Sequence, residues 1–210
     1  THLTHVIERH ASEILGRQEV QSILDTLRND YPAVVDEVAK IMSIGEIQKV
    51  LQNLLGEQVS IRNMVTVLET LADYGGVSKD IGFLTEKARQ SLGRQICLQH
   101  ADDDGIIRVL TIQPELEQKI IDSRMETASG IIAAMEPSEQ RRWIEALANG
   151  VRSIQEQGYR AVILCSEAAR PLVKSSSRLE IPDLTVLSIA EIVSDIKVEA
   201  LGEIRTEEVE

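Results

Sequence analysis

Ser43-Ile44-Gly45-Glu46-Ile47-Gln48-Lys49-Val50-Leu51-Gln52-Asn53-Leu54-Leu55-Gly56 sets the character of the first half of the chain. Ser43 followed three residues later by Glu46 is a capping box, in which hydroxyl and carboxylate close backbone donors left open at a helix start. Ile47, Val50, Leu51, Leu54 and Leu55 then recur at helical spacing, and Gly56 ends the helix.

The same period extends in both directions. Downstream, Ser60 predicts a cap for a longer helix that buries Ile61, Met64, Val65, Leu68, Leu71 and Ala72 and closes at Gly75-Gly76. A last helix is expected from about Lys79 to about His100, through Ile81, Leu84, Ala88, Leu92 and Ile96, with Gly82 and Gly93 inside it. Upstream, Leu3, Val6, Ile7, Ala11, Ile14 and Leu15 define one apolar stripe, which Gly16 ends. Val20, Ile23, Leu24 and Leu27 begin another helix, and Asn29-Asp30-Tyr31-Pro32 breaks it, because proline biases the preceding residue away from helix. Val34, Val35, Val38 and Ile41 make a short helix before Ser43.

Beyond the acidic turn Ala101-Asp102-Asp103-Asp104-Gly105 the pattern changes. Ile106–Ile112 is a β-branched run, hence a strand. Pro114 opens a helix to about Met125, and Pro137-Ser138-Glu139 opens another through Trp143, Ile144, Leu147, Val151 and Ile154 to Gly158. The unbroken apolar run 161–165 reads as a strand covered on both faces. Residues 167–177 read as helix, and 184–188 and 197–204 as strands. The fold class is therefore α+β overall: an all-α helical subdomain followed by a small α/β subdomain with a sheet of about four strands. The expected divisions are 1–14 (a helix ending a preceding subdomain), 15–94 (helical), 95–204 (α/β) and 205–210 (an acidic tail).

Composition agrees with this division. Apolar residues make up 43% of the 210, but aromatics only 2%, so the core is aliphatic, which favours helical packing over a β-sandwich. The net charge of −12 argues against nucleic acid, whose readers need Lys and Arg to displace counterions. The acid excess is concentrated after residue 94. Cys97 and Cys165 lie in apolar company and read as reduced, buried thiols. No apolar run approaches the length of a membrane span.

Constellations for catalysis or metal binding are thin. His5 and His10 lie about 140° apart around a helix, and no cysteine or further histidine supports the His2–His5 pair. The Asp102–Gly105 turn lacks the alternating ligands of a calcium loop. Ser166 follows a strand and precedes a helix, where nucleophiles occur, yet no histidine follows residue 100 to act as its base. It reads as a helix cap. Helices 44–56 and 61–74 imitate a DNA-binding pair, but Arg62 is the second helix's one base-reading cation, beside Glu69 and Asp73. No catalytic set, metal or cofactor is expected.

Beyond the 43–55 stretch, Val59-Ser60-Ile61-Arg62-Asn63-Met64 and Leu68-Glu69-Thr70-Leu71-Ala72-Asp73-Tyr74 closely resemble the cytoplasmic region of the FlhA family of flagellar and type III secretion export gates. Thr1-His2-Leu3, Leu15-Gly16-Arg17-Gln18-Glu19 and Pro182-Asp183-Leu184-Thr185-Val186-Leu187-Ser188 match the same family, so the likeness spans nearly the whole chain. The resemblance implies a non-enzymatic module holding the third and fourth of four cytoplasmic subdomains, with the membrane domain lying outside this chain. Its implied place is the cytoplasmic face of the bacterial inner membrane. It also implies a nonameric ring, with export chaperone–substrate complexes and components of the export ATPase complex as partners. Thr1 aligns with a threonine of the docking surface. Leu15–Gln21 reads as the flagellar branch, whereas the ending 198–204 occurs in both, so the homologous injectisome gate is the alternative. An unrelated helical-plus-α/β enzyme is a more distant one. From the residues themselves, Arg62, Asn63, Glu69, Thr70 and Asp73 lie on or near a polar helix face, either solvated or, as the sharper reading, forming a subunit interface, for which Arg62, Asn63, Glu69 and Asp73 are the candidates.

Overall fold

A computed structural model of the chain describes residue 10 and residues 13–206. The expected stripe from Leu3 to Ala11 and the tail from 207 lie outside the described residues. The chain divides into two compact units, residues 1–96 and 97–210.

The first unit contains helices α1 (Arg17–Arg28), α2 (Pro32–Ile41), α3 (Ile44–Gly56), α4 (Met64–Gly75) and α5 (Ile81–Ser91), and α6 (Gly93–His100) spans the division. Its core is aliphatic: Val20, Leu24, Val35, Val38, Ile47, Leu51, Leu54, Leu68, Leu71 and Leu84 are buried. The capping box of α3 is formed. Ser43 Oγ accepts from the Glu46 N–H at 3.2 Å, and the Ser43 N–H donates to Glu46 Oε1 at 2.9 Å. Gln48 and Gln52, successive turns of α3, both donate to the Leu15 carbonyl, at 3.1 and 3.0 Å. The two amides thereby fix the chain just before α1. Asp80 caps α5 through the Phe83 N–H, and Arg89 of α5 pairs with Glu57, just after α3, at 2.8 Å.

Two helices differ from expectation. The last is two, because Leu92 leaves helical geometry (φ −92, ψ 16) before Gly93 restarts the spiral. The helix expected from Ser60 begins only at Met64. Ser60 Oγ accepts from the Arg62 N–H at 3.4 Å, and its carbonyl accepts from Gln95 Nε2 at 2.8 Å, so residues 60–63 are held as a turn and Ser60 is no helix cap.

In the second unit, strands β1 (Ile106–Ile112), β4 (Val162–Cys165), β5 (Thr185–Ser188) and β6 (Lys197–Ile204) form an all-parallel sheet in the order β5-β4-β1-β6. Helices α7 (Pro114–Asp122), α8 (Pro137–Glu156) and α9 (Arg170–Ser177) complete the core with Ile120, Trp143, Leu147, Leu172 and Val173. The run 161–165 is central, as its continuous apolarity requires. β6 is an edge strand, with Leu201 as an extra residue between Ala200, opposite Val109, and Gly202, opposite Leu110. A Cβ on Gly150 of α8 would lie 3.3 Å from Ile204 and 3.4 Å from Leu110, so glycine lets α8 approach the sheet closely.

An element is added to the expected set. The helix from Pro114 stops at Asp122, and Arg124–Thr127 (β2) and Gly130–Ala133 (β3) form a separate antiparallel hairpin. Its turn lacks an Asn-Gly signal. Thr127 Oγ1 closes it by donating to the Gly130 carbonyl at 2.7 Å, and Gly130 takes φ +123.

Candidate interface on the helical unit

Helix α4 is nearly enclosed. Met64, Val67, Leu68, Leu71, Ala72 and Gly75 are buried, and so, against expectation, is Thr70, which leaves the polar face because its hydroxyl is satisfied by the Thr66 carbonyl at 2.8 Å. A Cβ on Gly75 would stand 2.9 Å from Ile41 Cγ2, so the end of α4 meets the end of α2 at glycine distance. What remains open is a narrow strip in which Glu69 and Asp73, one turn apart, are exposed. Arg62 and Asn63 are exposed just before the helix.

These four side chains have different fates. Asn63 makes no cap bond to α4. Its Nδ2 instead donates to Gln95 Oε1 at 2.9 Å, while Gln95 Nε2 holds the Ser60 carbonyl. Gln95 therefore clamps the 60–63 turn with both ends of its amide, a role that sequence reading missed because its partners lie more than thirty positions away. Within the described residues, no hydrogen bond or ion pair engages the side chains of Arg62, Glu69 or Asp73. Arg62 and Asn63 border an open cavity of about 380 Å³ whose other walls include Leu27, Asp30, half-exposed Tyr31 and Met64. A cation and a ring at an open depression of mixed polar and apolar lining suit a protein contact, in which Arg and Tyr are the favoured anchors. Two like charges at i and i+4 with no cation beside them disfavour the isolated helix by a few tenths of a kcal/mol, roughly 0.2–0.5, and a basic partner would relieve that. Thr1, the residue aligned with the family's docking threonine, lies outside the described residues.

Elsewhere, Ser166 and Asp102, which the sequence singled out, are committed to structure. Ser166 Oγ accepts from the Ala169 N–H at 3.3 Å, and the Ser166 N–H donates to Glu117 Oε1 at 2.7 Å, so Ser166 caps the turn that leads into α9. The carboxylate of Asp102 accepts from the N–H groups of Asp104 and Ile106, at 2.9 and 3.0 Å, and pairs with Arg108. It organises the turn before β1. Among the described residues, no group of three His, Cys, Asp or Glu is placed to hold a metal ion, and no helix is long and apolar enough to cross a membrane.

The buried cations of α9 do related work. Arg170 donates to the Val186 carbonyl at 3.2 Å, and Lys174 to the carbonyls of Leu184 at 2.5 Å and Pro182 at 3.4 Å. Residues 184 and 186 are two apart and present their carbonyls the same way, so the two cations bind the edge of β5 and its approach. That gives the 182–188 motif a structural reason.

Comparison with known proteins places this architecture. The model of the FHIPEP family matches residues 1–197. The flagellar biosynthesis protein FlhA of Borreliella burgdorferi is 48% identical over 208 residues, which cover 99% of this chain and 30% of that protein. This chain thus spans under a third of that relative's length. Among solved structures, the Chlamydia pneumoniae CdsV protein superposes with a TM-score of 0.89 at 28% identity, over 97% of this chain and 59% of that one. The nonameric EscV cytosolic domain from the type III secretion system gives 0.80 at 29%, over 93% and 57%. The α+β architecture and the sequence blocks on α3, α4 and β5 have one common account: this chain belongs to the FHIPEP family, whose members include the flagellar FlhA proteins.

Proposed function

We propose that this chain is part of the cytoplasmic docking and ring-forming platform of a flagellar protein export gate. In this reading residues 15–94 and 95–204 are its third and fourth cytoplasmic subdomains, and they act by reversible contacts and subdomain movement without turnover. The parent protein would reach the bacterial inner membrane through a domain outside this chain. There it would receive export chaperone–substrate complexes and components of the export ATPase complex. The observation that carries the flagellar assignment is the 48% identity to a flagellar FlhA over 99% of the chain, against 29% to the EscV domain. Arg62, Asn63, Glu69 and Asp73 are proposed as contacts between neighbouring subunits, because three of them present charges left unmatched among the described residues.

Deleting the parent gene tests the assignment. Loss of flagella and motility is expected, and retained flagella would move the protein to an injectisome. Pulldown of export chaperones on the parent's whole cytoplasmic region, beside a turnover screen on hydrolase substrates, tests the docking role. Turnover without chaperone capture would overturn it. The isolated chain is expected to be monomeric or weakly associated, and a stable nonamer by light scattering would contradict that.

A further inference from the structure

The β2–β3 hairpin ends in an unpaired edge whose chemistry is self-complementary. Its register is Arg124↔Ala133, Met125↔Ile132, Glu126↔Ile131 and Thr127↔Gly130. β3 lies against α9, and Ile131 and Ala133 join the core, so the hairpin is anchored on that side. Among the described residues β2 has no strand beyond it.

The register also settles which backbone groups of β2 face outward. The Ala134 N–H donates to the Ser123 carbonyl at 2.7 Å, which makes Ser123/Ala134 a hydrogen-bonded position. Antiparallel pairs alternate, so Met125/Ile132 and Thr127/Gly130 are hydrogen-bonded as well, and Arg124 and Glu126 turn their N–H and C=O groups away from β3. Met125 and Ile132 stand opposite each other on the face away from Ile131, and are 46% and 38% exposed. Arg124 and Glu126 are both exposed and pair at 3.1 Å.

We infer that β2 recognises β2 of a second copy of this chain, pairing antiparallel about a two-fold axis that passes beside Met125. In that register Arg124 faces Glu126 of the second copy, and Glu126 faces its Arg124. Both are outward-facing positions, so each pair exchanges two backbone hydrogen bonds. Each also sets opposite charges across the strands, the favourable cross-strand arrangement. Met125 meets Met125 of the second copy at the non-hydrogen-bonded position between them. With the two Ile132 side chains this closes one apolar cluster over a four-stranded β3-β2-β2-β3 sheet. Shifting the register by one residue would turn inward-facing groups toward each other. Four residues bury far less than the roughly 1,200 Å² of a stable interface, so the association is weak and concentration-dependent. A two-fold contact of this kind is isologous and does not build a ring of nine. It is independent of the export reading.

The test is sedimentation velocity of the whole chain across a concentration series up to about 1 mM, where contacts of this size are measurable. Concentration-dependent dimer is expected. Arg124→Glu sets carboxylates opposite one another, and Glu126→Arg sets guanidiniums opposite one another. Each should weaken the dimer at least tenfold, and the double variant R124E/E126R should restore it. Glu126→Pro removes only an outward N–H, which an edge strand tolerates. It should abolish the dimer with an unchanged circular dichroism spectrum. A wild type that stays monomeric over the range, a dimer indifferent to Glu126→Pro, or a double variant no better than its parents would each overturn the inference.

Discussion

The two units satisfy their distant backbone carbonyls with different donors, neutral amides in one and buried cations in the other. In the helical unit local caps and distant neutral amides share the work: Ser43 and Glu46 close the start of α3, Asp80 closes α5, and Gln48, Gln52 and Gln95 reach the carbonyls of Leu15 and Ser60. In the α/β unit it falls to distant, buried cations, with Arg170 and Lys174 of α9 bound to carbonyls of Pro182, Leu184 and Val186. A helix needs partners only at its ends, whereas a sheet edge exposes donors and acceptors along its length. The helical unit can therefore leave charged side chains such as Glu69 and Asp73 uncommitted on its surface. The α/β unit places two of its cations, Arg170 and Lys174, inside.

The largest expected effect breaks the second of these strategies. Arg170→Ala leaves the Val186 carbonyl without its guanidinium and opens a void in the core, costing about 3 kcal/mol. Trp143 is the only tryptophan and is buried in the α/β unit, so its fluorescence follows that unit alone. The urea midpoint by fluorescence should fall sharply, while the helical signal of residues 17–91 persists to higher urea. Coincident loss of both signals would mean that the cation supports more than its own unit.

Gly75→Val is the helical unit's counterpart. A first Cβ already stands 2.9 Å from Ile41 Cγ2, a stiff β-branched side chain, and valine adds two methyl groups. Overpacking should cost about 1–3 kcal/mol, more than removing a helical glycine returns. Here the helical signal should melt first, with Trp143 fluorescence unmoved. The order of the two transitions, compared with Arg170→Ala, tests whether the units unfold separately.

These contrasts also explain what was legible in the sequence. The Ser43 capping box, the break at Pro32, the proline starts at Pro114 and Pro137, and the aliphatic periods are signals carried within a few residues, and the structure follows them. The helix start at Met64 was misread because Gln95, far along the chain, holds the 60–63 turn. The hairpin was missed because its strands have four residues each and a side-chain hydrogen bond replaces the usual turn sequence. Of the candidate interface, periodicity located the polar strip on α4. It did not separate Asn63, already bonded, from Arg62, Glu69 and Asp73.

A smaller effect isolates one local device. The backbone N–H of Ser43 is the main influence holding the Glu46 carboxyl below its ordinary value, with Ser43 Oγ, Lys79 and Lys49 adding to it against desolvation. A carboxylate whose value is depressed on folding stabilises the fold above its unfolded value and loses that contribution as pH falls through the folded one. Glu46→Gln keeps a side-chain acceptor for the Ser43 N–H but not the charge. It should melt slightly below wild type at neutral pH and match it in acid. Ser43→Ala, which removes the hydroxyl cap, should cost about 1 kcal/mol. A constant gap between Glu46→Gln and wild type across pH would show that the charge contributes nothing.

The smallest expected change in stability carries the most about function. Reversing Glu69 and Asp73 to lysine touches exposed positions with no partner among the described residues, so the melting curve of this chain should shift by no more than about 0.5 kcal/mol. The cost of like charges at i and i+4 is unchanged by the reversal, since two lysines repel as two acids do. Stability and assembly are thereby separated. In the parent's whole cytoplasmic region the same pair of changes should abolish ring formation by light scattering, and Arg62→Glu alone should weaken it. An unaffected ring would return the strip on α4 to the role of a solvated helix face, and the charges that the helical unit leaves uncommitted would then serve solubility alone.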